Sequence, residues 1–165
     1  MRNPLRLSLA LALAGVTLAA SACGGSGGPE LSAESAAAVE LIDAACAQWN
    51  DTVDARGEFP VPDFDAENPS AEDLPAVGDY FAQGHRARDE MIQAIATLTV
   101  PDEIKARFDT LVAALQRGQA NAKKQAAAAQ AGDVDGFTAT LDEADASQQA
   151  IEAAAGELGA TECKA

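Results

Sequence analysis

Alanine dominates this sequence and restricts the folds that are open to it. It occupies 40 of the 165 positions, while aromatic residues make up only 4%. Alanine is the best helix former but buries little apolar surface, so such a chain favours helices packed around a thin core. No segment shows the alternation of polar and apolar residues that is typical of a strand. The composition therefore predicts an all-α fold.

Apolar side chains recur at spacings of three and four residues in four segments, which predicts four amphipathic helices. Ser32 can cap the first helix, Ser70 and Asp73 resemble a capping box for the second, and Asp133 can cap the fourth. Short turns join the helices, apart from one acidic, proline-rich loop. Such a pattern predicts an antiparallel four-helix bundle. The predicted ranges are 32–57, 70–98, 100–132 and 133–159 for the helices, 57–70 for the loop and 32–165 for the whole bundle domain.

The first residues read as a targeting segment. Arg2 and Arg6 precede an apolar run at residues 7–20, which is too short to span a bilayer comfortably. The run ends in Ala-Ser-Ala-Cys at residues 20–23, which resembles the lipobox of bacterial lipoproteins, where the cysteine thiol is diacylated and the peptide is cut just before it. The alternative is an ordinary signal peptide that leaves this cysteine as a free thiol.

The glycine-rich stretch that follows favours the lipoprotein. Residues 24–29 read Gly-Gly-Ser-Gly-Gly-Pro, a flexible tether of the kind that a lipid-anchored domain needs. We therefore expect a signal peptide at residues 1–22 and a lipidated Cys23 carrying a diacylglycerol and palmitate anchor, with a tether over residues 23–31. The protein is then expected on the extracytoplasmic face of the cell membrane, held there by its lipid.

Export would also decide the state of the other two cysteines. With Cys23 lipidated, Cys46 and Cys163 remain as a pair in an oxidising compartment, where a structural disulfide is the default. Cys46 lies well inside the first helix, whereas Cys163 follows the last one. The tail after the last helix must therefore turn back along the bundle, or the first helix must protrude beyond its neighbours.

Taken together, these features resemble a known class of protein. A lipobox, a glycine tether, an alanine-rich bundle, a cysteine in the first helix and a closing cysteine after the last are similar to the small lipoproteins of high-GC Gram-positive bacteria. Such families are mostly without assigned activity. The resemblance therefore implies a location and a fold rather than a chemistry.

Charge and motif content exclude several classes of function. The formal net charge is −15, which argues against a nucleic-acid partner because phosphate binding needs clustered Lys and Arg. The single histidine, His85, excludes most metal sites, and with Asp89 one turn on it is interpreted as a helix-surface pair. No nucleophile, base and orienting group can be assembled. We expect no enzyme activity, no cofactor and no metal.

A polar layer in the middle of the predicted bundle is the strongest candidate site. Arg88 and Gln148 fall on the inward faces of the second and fourth helices, Gly84 and Gly118 face inward near the same level, and Asn50 flanks the first helix's stripe. One interpretation is structural: the layer fixes helix register or lets helices approach closely. The other is a small cavity in which the guanidinium receives an anionic ligand.

Two functions follow from these interpretations. If the layer is structural, with an internal acid such as Asp43 neutralising Arg88, the protein is a non-enzymatic envelope lipoprotein that docks an envelope protein or a cationic partner. This is the function that the sequence favours. If the layer is a cavity, the protein is a solute-binding or sensing bundle that uses Arg88.

Overall fold

The protein is all-helical over the residues that its structure describes. The structure is a computed structural model that describes residues 31–164. The predicted signal peptide, the predicted lipidation site Cys23 and residues 23–30 of the predicted tether lie outside this range. No helix within it is long and apolar enough to cross a membrane. The helices, in chain order, are α1 (Ala33–Asp54), α2 (Leu74–Ala96), α3 (Asp102–Gln130), α4 (Val134–Thr138) and α5 (Leu141–Leu158), followed by a 3₁₀ turn (Glu162–Lys164).

Two predicted helix starts are confirmed by their caps. The Ser32 hydroxyl accepts a hydrogen bond of 3.2 Å from the backbone N–H of Ser35 at the start of α1. The Asp133 carboxylate accepts one of 2.9 Å from the backbone N–H of Gly136 in α4. Each cap satisfies a donor that the first helical turn leaves free.

Two predicted boundaries differ from the structure. The second helix begins at Leu74 rather than near Ser70, because Pro75 has no N–H to donate to the turn before it. The predicted fourth helix is divided into α4 and α5. At the division the Thr140 hydroxyl donates a 2.6 Å hydrogen bond to the Phe137 carbonyl, so a side chain competes for a backbone acceptor of the helix.

The inward stripes of α1, α2, α3 and α5 form the main core, as their periodicity predicts. The helices pack as a bundle in which α3 contacts both α2 and α5, and α2 also contacts α1. Leu31, at the end of the predicted tether, is half-buried against this core. The large aliphatic residues that are completely or almost completely buried there are Ile42, Ile95, Ile104, Leu111 and Leu158.

A second, smaller apolar cluster joins the proline-rich loop to the helices. Its buried members are Leu74, Ala129 and Phe137. From the loop, Phe64 packs edge-on against Phe137 with ring centroids 6.0 Å apart, and Phe59 lies 5.7 Å from Phe64. Phe81 of α2 packs against the same cluster. The loop therefore folds back on the bundle, and Phe81 connects this cluster to the site described below.

The C-terminal tail turns back along α1 and brings the two cysteines together. Cys46 and Cys163 form a disulfide with Cα atoms 5.1 Å apart, as predicted. Glu162 fixes the tail beside the bond: its backbone N–H donates to Asp43 over 2.9 Å, and its carbonyl accepts from the Asn50 amide over 3.0 Å. The first of the two routes considered for the tail is therefore the one that the chain takes.

Candidate functional site

The only tryptophan of the chain, Trp49 of α1, lies against two arginines. The guanidinium carbon of Arg56, just beyond the end of α1, is 5.6 Å from the centre of the Trp49 ring and 5.1 Å from that of Tyr80. Gly84 of α2 makes this packing possible. A Cβ at Gly84 would come within 2.8 Å of Trp49 and 2.9 Å of an Arg56 nitrogen. Both distances are too short, so any side chain at this position would displace the ring or the guanidinium.

The second arginine is Arg88, one turn after Gly84 on α2. Its guanidinium carbon lies 5.9 Å from the centre of the Trp49 ring. One terminal nitrogen of Arg88 lies over Gly118 of α3, 3.3 Å from where a Cβ would stand. Burial lowers the pKa of Arg88 below its ordinary value, with no opposing contribution from a carboxylate. Arg88 is therefore held between α1, α2 and α3 as a partly desolvated cation.

The acid suggested as a neutralising partner for Arg88 is engaged elsewhere. Asp43 accepts the hydrogen bond from the backbone of Glu162. The four ion pairs of residues 31–164 use Arg86, Lys105, Lys123 and Lys124 as their cations. Within the described chain, Arg56 and Arg88 thus have no carboxylate partner.

His85 is not the surface pair with Asp89 that the sequence suggested. Asp89 instead accepts hydrogen bonds from Lys123, at 2.7 Å, and from Gln119, at 2.9 Å. The Nε2 atom of His85 is buried and has no hydrogen-bond partner among residues 31–164. Burial, and after it the positive charge of Lys123, lowers the pKa of His85, so the imidazole is neutral at pH 7.

The side chains of Arg56, His85 and Arg88 line one cavity of about 200 Å³. Four side-chain nitrogen or oxygen atoms of the described residues are buried without a hydrogen bond, and three of them belong to residues that line this cavity: Nε of Arg56, Nε of Arg88 and Nε2 of His85. Buried polar groups in folded proteins normally have partners, so three unpartnered ones on the side chains that line one space make this space the candidate binding site. The lining, called the Arg56–Arg88 cavity below, consists of Trp49, Arg56, Phe81, His85, Arg88, Ala122 and Gln125.

The polar layer predicted from the sequence is divided among three spaces that meet at Arg88. Arg88, Gly118 and Gln148 line a cavity of about 250 Å³ between α2, α3 and α5. Arg88, Gln148 and Asn50 line a space of only about 30 Å³ beside the disulfide. The Gln148 amide donates a 3.0 Å hydrogen bond to Glu152 and makes none with Arg88. Of the other residues predicted for the layer, Asn50 holds the C-terminal tail and Gly84 leaves room for Arg56.

Sequence reasoning predicts Arg88 as a site residue but misses Arg56 and His85. Arg56 falls at the end of the predicted first helix, residues 32–57, and His85 is predicted to form a surface pair. The sequence does contain one signal. Arg56 follows Trp49, His85 and Arg88 follow Phe81, and both aromatic residues belong to the predicted inward stripes. Spacing alone does not show that a long side chain at a helix end folds back on its neighbours.

The described residues contain no group of three His, Cys, Asp or Glu side chains that could hold a metal ion. In the acidic loop, the Asp65 carboxylate accepts hydrogen bonds from the side-chain amide of Asn68, at 3.2 Å, and from the backbone N–H groups of Asn68 and Glu67, at 3.1 and 3.0 Å. These hydrogen bonds, that of the Asn68 side chain first, lower the pKa of Asp65 and define a turn.

Comparison with protein-family models, with curated proteins and with solved structures finds no match for this chain. A function must therefore be inferred from the chemistry of the Arg56–Arg88 cavity.

Proposed function

We propose that this protein is a lipid-anchored, extracytoplasmic, non-enzymatic binding protein that holds a small anionic solute in the Arg56–Arg88 cavity. In this proposal the domain is an antiparallel four-helix bundle that stands off the membrane on its glycine tether. The observation that carries the proposal is that two arginines without a carboxylate partner line one space of about 200 Å³, together with His85, and that each of the three side chains has a buried nitrogen atom without a hydrogen bond. The proposal prefers the second of the two functions considered from the sequence.

Charge distribution supports an anionic ligand. The chain carries 26 acidic and 11 basic side chains, yet none of the described carboxylates pairs with Arg56 or Arg88. An internal carboxylate would have been the simplest partner for either guanidinium. A buried donor without a partner is destabilising by about 1–3 kcal/mol, and more when it is charged. An anion that enters the cavity would accept charge-assisted hydrogen bonds from the guanidiniums, and such bonds are the strong ones.

Docking of an envelope protein or a cationic partner remains a prediction from the acidic composition. The acidic surface suits such a partner, but it is equally what keeps a soluble domain dispersed and away from an anionic membrane face. The cavity is the more specific feature, because three buried nitrogen atoms of its lining side chains have no hydrogen bond within residues 31–164.

The lipid anchor is supported by the sequence of residues 20–29. Replacement Cys23→Ala should leave an uncleaved precursor or release the protein from the membrane fraction, because the acyl chains have no other thiol there to modify. Ser26→Ala is the matched control, since it changes the tether without removing the thiol, and it should stay in the membrane fraction. Fractionation followed by mass determination of the N-terminus measures both results. A mature, membrane-bound Cys23→Ala protein would contradict the anchor.

Binding is tested by thermal unfolding of the full chain with acetate, benzoate or inorganic phosphate at constant ionic strength. At least one anion should raise the melting temperature, and at one hundred times its dissociation constant it should add about 2.7 kcal/mol of stability. Arg88→Leu should remove the response because it removes a guanidinium from the cavity. Arg86→Leu is the matched control, since Arg86 lies on the same helix but is 91% exposed and pairs with Glu90. Equal responses of the two variants would refute the site.

A further inference from the structure

The volume of the Arg56–Arg88 cavity suits a small molecule. At about 30 Å³ for each water of the liquid, a space of about 200 Å³ corresponds to six or seven waters. Pockets for drug-sized ligands range from about 300 to 1,000 Å³. A single ring with one acidic group is of the right order, whereas a nucleotide or a sugar phosphate would extend beyond this space.

The charges that face the cavity favour a singly charged anion. Arg56 and Arg88 supply two positive charges, and Gln125 is uncharged. The imidazole of His85 is neutral at pH 7, and the nearby charge of Lys123 is satisfied by Asp89 over 2.7 Å. The chain as a whole has a formal net charge of −15 around this positively charged cavity, and that charge repels a multiply charged anion more strongly than a singly charged one.

The walls of the cavity favour a flat, aromatic body for that anion. Trp49, Phe81 and Ala122 supply its apolar lining. Aromatic rings prefer offset or edge contacts with other rings, and the planar guanidinium stacks on ring faces. A small, strongly hydrated anion such as phosphate would leave these walls without a contact and would give up its own hydration shell.

The guanidiniums suit a carboxylate in particular. The Nε atoms of Arg56 and Arg88 are buried, and the terminal nitrogen atoms are not among the buried unpartnered ones, so the end of each guanidinium is the edge that can face the cavity. That edge presents two parallel N–H groups, which match the two oxygens of a planar carboxylate.

We infer that the Arg56–Arg88 cavity binds an aromatic monocarboxylate, with the carboxylate on the two guanidiniums and the ring against Trp49 and Phe81. The inference rests on the proposed function and specifies the ligand class of the same site.

Trp49 provides the experiment, because it is the only tryptophan and lines the cavity. The full chain is titrated with benzoate, acetate, inorganic phosphate and uncharged benzamide while tryptophan fluorescence is recorded. Benzoate should give a saturable change with a dissociation constant about tenfold or more below those of acetate and phosphate. Benzamide should give no saturable change, because it lacks the charge that the guanidiniums receive.

Variants separate the charge from the ring. Arg56→Gln and Arg88→Gln should each weaken benzoate binding by about tenfold or more, whereas Arg86→Gln should leave it unchanged. Phe81→Leu should weaken benzoate by roughly twofold to tenfold, the range for one aromatic contact, and leave acetate unaffected. Circular dichroism and a melting curve establish that each variant is folded. If one arginine variant does not fold, the other tests the same site.

The possible failures are distinguishable. If phosphate or acetate binds as tightly as benzoate and the arginine variants abolish its binding, the ligand class is wrong but the proposed function stands. If benzamide binds as well as benzoate, the carboxylate is not what the site recognises. If no anion changes the fluorescence or the melting temperature, both the inference and the proposed function are refuted.

Discussion

Replacing both Cys46 and Cys163 by alanine should lower the free energy of unfolding by about 4–5 kcal/mol. The two cysteines are 117 residues apart, so their bond closes most of the helical domain into one loop. In the chain-entropy account, closing a loop of about 100 residues lowers the conformational entropy of the unfolded chain, which stabilises the folded state by about 4.7 kcal/mol at 25 °C. For a domain with an alanine-rich core this is a large fraction of the total stability.

Urea unfolding of the parent and of the double variant measures this difference. Cys23→Ala is the control, because it removes the third cysteine and leaves the bond intact, and it should unfold like the parent. The tail should also lose its contacts in the double variant, so amide exchange at Glu162 should become fast. A stability within about 1 kcal/mol of the parent, or two free thiols in the unfolded but unreduced parent, would contradict the role given to the bond.

The helices and the core could be read from the sequence because their cause is local. Ile42, Ile95 and Leu111 recur at helical spacing with other apolar residues, and a helix that buries such a stripe has only one face to turn inward. The same projection placed Arg88 inward, and the structure has it half-buried beside Trp49. The caps at Ser32 and Asp133 were predictable for the same reason, since each depends on three or four successive residues.

The site could not be read in the same way because its parts meet only in three dimensions. Arg56 lies at a helix end, where periodicity gives no direction, and its guanidinium reaches α2 only because Gly84 leaves room. His85 and Asp89 stand one turn apart, which favours a pair on an isolated helix. On the folded chain Lys123 and Gln119 of α3 take the carboxylate instead. Competition from another helix thus decides which nitrogen atoms remain free.

The direction of the tail was likewise undecided by the sequence. The four residues from Ala160 to Cys163 allow several paths, and spacing does not choose among them. The hydrogen bonds of Glu162 with Asp43 and Asn50 determine the path along α1. They also explain why Asp43 and Asn50, which the sequence associated with Arg88, serve the tail instead.

Arg88→Leu should place the unliganded protein between about 1 kcal/mol less stable and about 2 kcal/mol more stable than the parent. The substitution removes a buried donor without a partner, a group that is destabilising by about 1–3 kcal/mol. It also removes the contact of the guanidinium with Trp49, which is worth roughly 0.5–2 kcal/mol. Leucine retains much of the apolar volume, so the two effects nearly cancel or favour the variant. The same substitution should abolish the roughly 2.7 kcal/mol that a bound anion adds at one hundred times its dissociation constant.

The opposite sign would identify a structural polar layer. Breaking a buried pair by removing one member costs about 3–5 kcal/mol, because the other member is left buried and unpaired. Urea unfolding without added ligand and then with benzoate measures both quantities on one sample. Arg86→Leu again supplies the control: it should lose at most about 1 kcal/mol, the value of an exposed ion pair, and keep its response to the anion. A loss of about 3 kcal/mol or more in unliganded Arg88→Leu would therefore mean that an internal group, rather than a ligand, is the partner of Arg88.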